Sequence, residues 1–268
     1  MNNIKIAAVQ MNSGADVAAN LALARHWVTE AAAAGASLVV LPEYFYLMGE
    51  QESQRVALAE PWQAGPIQAF LSGLARELGV WLLAGSIPLA SDDPERVYNS
   101  STLYDNNGEC VGRYDKIHLF GFDNGVESYR EADVFKAGQQ IATFATPAGR
   151  LRSSICYDVR FSELYRHAPG FELLAVPAAF TATTGEAHWE VLLRARAIEN
   201  QCYVIAAAQT GVHPSGKRTF GHSMIIDPWG KVLALLAEGN GYVMAEIDAD
   251  YLSKVRLNLP ALAHRMVG

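Results

Sequence analysis

Short apolar runs alternate along the chain with longer segments in which apolar residues recur at helical spacing. Alternation of this kind is typical of an α/β protein, in which buried strands are covered by amphipathic helices. The apolar runs predict strands at residues 4–11, 38–41, 81–86, 97–104, 110–114, 150–155, 173–176, 203–208, 223–226, 232–236 and 242–247. The helical patterns predict helices at residues 17–34, 67–78, 161–167 and 187–201.

Turn residues separate these elements, but no linker divides the chain. Asn-Gly at residues 107–108 lies between two predicted strands and predicts a β-hairpin. Residues 227–230 (DPWG) predict a turn between two later strands. Because no Pro-, Gly- or Ser-rich stretch interrupts the sequence, residues 1–268 are predicted to form a single domain.

The composition indicates a protein with a large core and no nucleic-acid or membrane partner. Half of the 268 residues are hydrophobic and 18% are charged, so a sizeable core can be buried. The net charge of −7, without any block of Lys or Arg, argues against nucleic acid and anionic membrane surfaces. No apolar stretch is long enough to span a bilayer, and the N-terminus lacks signal-peptide features. We therefore expect a soluble, cytoplasmic protein.

The cysteines favour a reduced protein with one unusual thiol. Cys110, Cys156 and Cys202 are odd in number, far apart and without metal-ligand spacing, which predicts neither a disulfide framework nor a structural zinc site. We expect no metal and no cofactor. Cys110 and Cys202 are best interpreted as small buried hydrophobes. Cys156 ends a predicted strand and precedes a short helix, a geometry that presents a side chain at the rim of a sheet.

Three strand ends carry candidate chemistry. Glu43 follows an apolar run and a proline, Lys116 follows the hairpin, and Cys156 follows the strand at 150–155. If these ends converge, one cleft holds a base, a cation and a thiol, which together can attack a carbonyl carbon and stabilise the resulting oxyanion. The backbone N–H of Tyr157 would also point at such an anion. Taken singly, each residue has an ordinary structural explanation.

The segments around these residues link them. Residues 41–43 (LPE), 114–119 (YDKIHL) and 155–161 (ICYDVRF) resemble, in the same chain order, the motifs of the nitrilase superfamily of carbon–nitrogen hydrolases. The resemblance covers nearly the whole chain. It extends to residues 187–190, 194–200 and 221–223. It implies an α-β-β-α four-layer sandwich and a homodimer paired through helices.

The resemblance also implies roles for the three residues. Glu43 would accept the thiol proton of Cys156 as general base, and Lys116 with the Tyr157 N–H would stabilise the oxyanion. A thioester on Cys156 would form as ammonia leaves, and water would then release a carboxylic acid. Glu127 aligns with a second glutamate of the family, which positions the lysine and the substrate.

The residue after Cys156 indicates which branch of the superfamily the chain resembles. True nitrilases usually carry Trp there, whereas this chain has Tyr157, and residues 156–161 are similar to the branch that holds omega-amidase and deaminated glutathione amidase. This implies a small carboxylate-bearing amide substrate, with deaminated glutathione first and omega-amides such as α-ketoglutaramate second. Two differences from the family pattern leave the identity of the substrate's acyl group undetermined. Ser162 replaces a common Pro, and residues 116–127 form a short loop in which Gly121 replaces a common Asp.

Substrate-binding candidates lie near the nucleophile in sequence. In the amidase branch, the residue matching Arg160 would bind a substrate carboxylate, for which a guanidinium is well shaped. A structural ion pair with Glu163 or Asp158 is an equal alternative. Phe180 and Thr181 are candidates for the pocket wall by position, beside Tyr157.

Three other functions are compatible with parts of the pattern. A papain-like Cys–His hydrolase would use one of four histidines as its base: His118, His167, His188 or His222. A catalytically silent scaffold or binding module would tolerate loss of Cys156. Acyl transfer to an amine would use the same three residues with a different second nucleophile.

Overall fold

Strands and helices alternate along the described part of the chain, which comprises residues 3–126, 128–168 and 170–266 of a computed structural model. The strands are β1 (Lys5–Gln10), β2 (Ala36–Val40), β3 (Trp81–Leu83), β4 (Ile87–Ala90), β5 (Val97–Tyr104), β6 (Cys110–Asp115), β7 (Gly121–Asp123), β8 (Ser128–Arg130), β9 (Thr143–Thr146), β10 (Gly149–Ser153), β11 (Leu173–Ala175), β12 (Tyr203–Ala206), β13 (Thr210–Val212), β14 (Arg218–Phe220), β15 (Ser223–Ile226), β16 (Val232–Leu236) and β17 (Gly241–Glu246). The helices are α1 (Val17–Ala33), α2 (Gln54–Ala57), α3 (Pro66–Leu78), α4 (Glu163–Arg166), α5 (Ala182–Asn200) and α6 (Ala249–Asn258), with 3₁₀ turns at Glu131–Asp133 and Cys156–Arg160.

Two sheets contain most of the strands. The first follows the order β17-β1-β2-β3-β5-β4, with β6 also paired to β5, and its central strands β1, β2 and β3 are parallel. The second follows the order β16-β15-β12-β11-β10-β9, with β10, β11 and β12 parallel at its centre. Each sheet therefore has a central parallel group whose carboxyl ends meet at one edge, where ligand sites of α/β proteins form.

The sheets pack face to face, and helices cover their outer faces. Apolar side chains from both sheets form the layer between them, with Ile6 and Val40 from the first sheet and Leu173 and Ile205 from the second. On the outside of the first sheet, Val28 of α1 and other helix residues pack against the strands. On the outside of the second sheet, the buried residues of α5 do the same. The predicted α-β-β-α order of layers is confirmed.

Local sequence explains where the main helices begin and end. The Asp16 side chain accepts from the Ala19 N–H at the start of α1, and Thr181 accepts from the Thr184 N–H at the start of α5. Helix α3 begins at Pro66 and ends at Gly79, whose φ of 65° is left-handed. The predicted helices at 17–34 and 67–78 are therefore confirmed to within a residue at each end.

Several elements differ from the sequence expectation. Helix α5 begins five residues earlier than predicted, because its Thr181 cap precedes a first turn without apolar periodicity. Helix α6 and the short hairpins β7–β8 and β13–β14 were not predicted. The predicted β5–β6 hairpin and the turn at 227–230 are present, the latter closed by the Gly230 N–H donating to Asp227 O at 2.9 Å. Among the residues that the structure describes, no helix has the length and apolarity needed to cross a membrane.

Candidate active site

Cys156 sits on a sharp turn at the carboxyl end of β10. Its φ is 48°, a left-handed value that a non-glycine residue adopts only when the surroundings enforce it. Its N–H donates to Pro177 O at 2.8 Å, and the Ile155 N–H donates to the Asp158 carboxylate at 3.0 Å. The turn thus fixes the thiol at the rim of the second sheet, where the residue is 7% exposed.

Glu43 and Lys116 meet as a buried ion pair next to this turn. Glu43 follows β2 and Lys116 follows β6, so the first sheet supplies both. The Lys116 Nζ donates to Glu43 Oε1 at 2.9 Å, and the Asn99 amide donates to the same oxygen at 2.9 Å. The Ala179 N–H donates to Glu43 Oε2 at 2.7 Å. Every oxygen of the candidate base is therefore held, which fixes its orientation.

A second carboxylate, that of Glu131, holds Lys116 from another side. The Lys116 Nζ lies 2.9 Å from Glu131 Oε1 and 2.8 Å from Oε2. The Tyr44 hydroxyl donates to Oε1 at 2.7 Å, and the Phe120 N–H donates to Oε2 at 2.6 Å. The ammonium is therefore clamped between two acids.

Sequence reasoning did not single out Glu131. It assigned the second glutamate to Glu127, which lies outside the described residues. The loop between Lys116 and this acid differs in length from the family pattern, so counting along the chain did not distinguish two acids four residues apart. The signal that identifies Glu131 is spatial, because the 3₁₀ turn Glu131–Asp133 returns the chain to the Lys116 ammonium.

Burial and mutual attraction set the charges of this cluster. Burial lowers the pKa of Lys116, but Glu131 and Glu43 outweigh it and raise that pKa above its ordinary value. Burial raises the pKa of Glu131, but Lys116 outweighs it and the pKa is lowered. Burial and the Glu43 carboxylate raise the pKa of the Cys156 thiol well above its ordinary value, and Lys116 opposes them only in part. Near neutral pH the cluster holds an ammonium, ionised Glu131 and a protonated thiol.

A cavity of about 400 Å³ opens onto the cluster. Glu43, Lys116, Glu131 and Cys156 all line it, together with Thr181. Its size is that of a small-molecule site. A small adjoining recess touches Cys156 and is lined by Phe120, Tyr157, Ala179, Phe180, Thr181 and Thr184. The structure thus brings the three predicted strand ends together in one cavity, with Tyr157, Phe180 and Thr181 beside the thiol.

Arg160 lies apart from the cavity walls. Its guanidinium is 5.1 Å from the Phe180 ring centroid and 5.7 Å from that of Tyr157, and its Nη1 is 3.3 Å from His188 Nδ1. In the described part of the chain it lines neither the cavity nor the recess. The Asp158 carboxylate, proposed as its structural partner, is instead bound by Tyr114, His118 and Ile155.

Residues 5–257 match the carbon–nitrogen hydrolase family, and the chain belongs to that family. Two curated relatives are similar over almost their full lengths. A deaminated glutathione amidase from Yersinia enterocolitica is 41% identical, covering 98% of this chain and 93% of its own. Another from Synechocystis is 44% identical, covering 97% of each.

Solved structures show the same fold. The C. elegans NitFhit protein matches with a TM-score of 0.90 at 38% identity, over 99% of this chain and 66% of that longer one. A mutant of the amidase from Nesterenkonia, which shows the result of Michael addition of acrylamide at the active-site cysteine, matches with a TM-score of 0.80 at 30% identity, over 96% and 98%. The predicted superfamily, fold and amidase class are confirmed.

The geometry does not favour the Cys–His alternative. None of the four candidate histidines lines the cavity or the recess among the described residues. His118 stacks on Phe161 with centroids 3.7 Å apart, and His222 stacks on Phe220 at 3.9 Å. Within the same described ranges, no group of three or more His, Cys, Asp or Glu side chains is arranged to hold a metal ion.

Proposed function

We propose that this chain hydrolyses the amide bond of a small carboxylate-bearing substrate through a thioester on Cys156. One observation carries the proposal. The Lys116 ammonium is clamped between Glu43 and Glu131 in the same cavity as the Cys156 thiol. A buried base, a permanent cation and a thiol in one cavity are the parts required for acyl transfer to sulfur.

The first half of the reaction begins with a proton transfer, because the buried thiol is protonated at rest. Glu43 takes the thiol proton as sulfur bonds to the amide carbon, and the carbonyl electron pair moves onto oxygen. The Lys116 ammonium and the Tyr157 N–H stabilise that oxyanion. When the intermediate collapses, the C–N bond breaks and Glu43 returns its proton to the departing nitrogen.

Water completes the cycle. Glu43, again a carboxylate, takes a proton from a water molecule as that water attacks the thioester carbon. The C–S bond breaks, the proton returns to sulfur and a carboxylic acid leaves. Glu131 touches neither bond. It keeps Lys116 charged and points it toward the cavity, so we assign it the positioning role that the family resemblance gave to Glu127.

Deaminated glutathione is the first substrate we propose, supported by the names of the Yersinia and Synechocystis relatives. Its scissile amide joins an acyl group to a peptide amine, so that amine is the leaving group. Omega-amides such as α-ketoglutaramate are the second candidate, and these would release ammonia. Phe180 and Thr181 form walls beside the thiol, with the Tyr157 ring. Arg160, outside both linings, is the weaker candidate for carboxylate binding.

We further propose a single-domain, cytoplasmic homodimer with neither nucleic-acid nor membrane partners. The shared apolar layer between the two sheets supports one domain. The net charge of −7 supports the absence of polyanionic partners. On α5, Val191 is 68% and Ile198 49% exposed, an apolar face suited to pairing through helices. Light scattering of the purified protein tests the dimer, and a monomer at micromolar concentration would refute it.

A substrate panel tests the activity. Deaminated glutathione, α-ketoglutaramate, a simple nitrile and an N-carbamyl amino acid are each incubated with the enzyme, and carboxylic acid, amine and ammonia are measured. We expect turnover of the two amides, loss of turnover in Cys156→Ala, and an acyl adduct on Cys156 by mass spectrometry. Turnover of the nitrile or the carbamyl compound alone would overturn the substrate proposal. Retained activity in Cys156→Ala would overturn the mechanism.

A further inference from the structure

Away from the thiol, the cavity wall is rich in positive charge. Four cationic side chains line it beyond the catalytic cluster, and we call them the distal cations: Arg55, Arg130, Lys217 and Arg218. Two acids, Glu52 and Asp133, accompany them. This excess of cations occurs in a chain whose net charge is −7. The local field of this wall therefore favours an anion.

Arg55 is the buried member of the distal cations. It is 4% exposed, and its guanidinium lies 3.9 Å from the Tyr44 ring centroid. Its Nη2 contacts the Met48 sulfur at 3.6 Å, and its Nη1 contacts Glu52. Its Nε has no hydrogen-bond partner among the described residues. Because Arg55 lines the cavity, its positive charge favours an anion bound there.

Lys217 faces the same acid from the β13–β14 hairpin. Its Nζ donates to Glu52 Oε1 at 2.9 Å and lies 4.5 Å from the Tyr129 ring centroid. Burial and the charge of Arg55 lower the pKa of Lys217. A single carboxylate, that of Glu52, thus serves two crowded cations. A second carboxylate at this place would relieve their repulsion.

Tyr44 lies between Arg55 and the catalytic cluster. One face of its ring carries Arg55, while its hydroxyl donates to Glu131, which holds Lys116. The Tyr44 side chain therefore contacts both Arg55 and the Glu131 carboxylate. Arg55, Lys217 and Cys156 line the same cavity, so one bound molecule can contact all three. Arg160, by contrast, is stacked between Tyr157 and Phe180 and lines neither space among the described residues.

We infer that Arg55 and Lys217 bind a carboxylate of the substrate remote from the scissile amide, in competition with Glu52. This inference rests on the proposed function, whose substrate class it makes specific. The substrates it selects are amides that carry a second, anionic end. Glu52 acts as an internal competitor that keeps the two cations in place when the cavity holds no anion.

Calorimetric titration with glutarate tests the inference, because a short dicarboxylate that lacks an amide reports binding without turnover. We expect Lys217→Met to weaken glutarate binding by about tenfold, since one charge-assisted hydrogen bond is lost. Lys231→Met, at an exposed position in the β15–β16 turn, is the matched control and should leave binding unchanged. Equal binding by Lys217→Met and the wild type would overturn the inference, as would a tenfold loss in Arg160→Met alone. Absence of glutarate binding by the wild type would do the same.

Glu52→Gln gives a test of opposite sign. If the Glu52 carboxylate competes with the substrate, its removal should tighten glutarate binding severalfold. If Glu52 only braces the wall, binding should weaken, and that result would contradict the inference. Arg55→Lys keeps the charge and the stacking on Tyr44 but loses the guanidinium fork, so it should weaken binding without unfolding the protein.

Kinetics separate this inference from the proposed function. With α-ketoglutaramate and its methyl ester as substrates, Lys217→Met should raise KM for the charged amide about tenfold and leave KM for the ester and both kcat values nearly unchanged. If the wild type turns over the charged amide but Lys217→Met leaves its KM unchanged, the inference is overturned and the proposed function stands. If glutarate binding depends on Lys217 but no amide is turned over, the proposed function is overturned and the anion-binding role of Lys217 stands.

Discussion

The carboxylate of Asp158 binds His118 twice, accepting from its main-chain N–H at 3.0 Å and lying 2.7 Å from its ring Nδ1. His118 follows Lys116 by two residues, and Asp158 follows Cys156 by two. The pair therefore ties the segment that carries the cation to the turn that carries the thiol. Asp158 is fully buried and also accepts from Tyr114 and Ile155. Because Asp158 does not line the cavity among the described residues, we assign it a positioning role rather than a catalytic one.

Asp158→Asn is expected to misplace Lys116 relative to Cys156. The amide accepts fewer hydrogen bonds than the carboxylate and leaves buried donors unpaired, at a cost of about 2 kcal/mol in the free energy of unfolding. We expect kcat to fall at least tenfold with KM nearly unchanged, measured by steady-state kinetics beside urea unfolding. Asp227→Asn is the control, because Asp227 lies in the turn between β15 and β16, at the edge of the second sheet opposite β9. A variant as stable as the wild type with unchanged kcat would contradict the positioning role.

Glu43→Gln should separate proton transfer from thiol ionisation. Loss of the proposed general base should reduce kcat by about 10²- to 10⁴-fold. The thiol should respond in the opposite direction. The Glu43 charge helps to raise the pKa of Cys156 and Lys116 opposes it, so removing that charge should lower the pKa. Thiolate absorbance near the ultraviolet edge, followed against pH with Cys156→Ser as blank, measures the shift. A higher thiol pKa in Glu43→Gln would contradict this electrostatic account.

Glu131→Gln should change the stability of the fold in a pH-dependent way. The folded-state pKa of Glu131 is lowered, so its contribution is complete above the unfolded pKa and is lost as pH falls through the folded value. The Lys116 pKa is raised, so its contribution is complete below its unfolded value and is lost only in strong alkali. The difference in free energy of unfolding between the wild type and Glu131→Gln should therefore be constant from neutral pH to about pH 6 and shrink below about pH 4. A difference that grew on acidification would refute the assignment.

Much of the fold is predictable from the sequence, because the spacing of apolar residues marks the buried strands and the buried faces of the helices. The strand at Val97–Tyr104 and the strand at Ser223–Ile226 have the predicted bounds, since turn residues follow each directly, at 105–108 and 227–230. Helix α6 was missed because only Leu252 and Val255 of its ten residues are buried. Motif order predicts Glu43, Lys116 and Cys156, whose strand ends converge. It does not reveal Arg55 and Lys217, which lie 162 positions apart and meet only through Glu52.

Gly85→Ala should disturb Glu43 through the backbone alone. Gly85 has a φ of 61°, and a Cβ there would collide with the Pro42 carbonyl and lie 2.7 Å from Leu41 O. Pro42 directly precedes Glu43, so we expect the collision to move the Glu43 carboxylate away from Lys116. We expect a loss of about 2–4 kcal/mol in the free energy of unfolding together with a tenfold or greater fall in kcat.

Gly79→Ala is the matched control for this prediction. Gly79 has a similar φ of 65°, but no described atom lies within 4 Å of its added Cβ, so only the cost of the left-handed conformation remains. That cost is about 1 kcal/mol, and kcat should not change, because Gly79 ends α3 and does not line the cavity. Because both variants carry the same conformational penalty, the excess effect of Gly85→Ala measures the close approach to Pro42. Equal losses of stability and activity in the two variants would show that the backbone beside Glu43 yields to the methyl group.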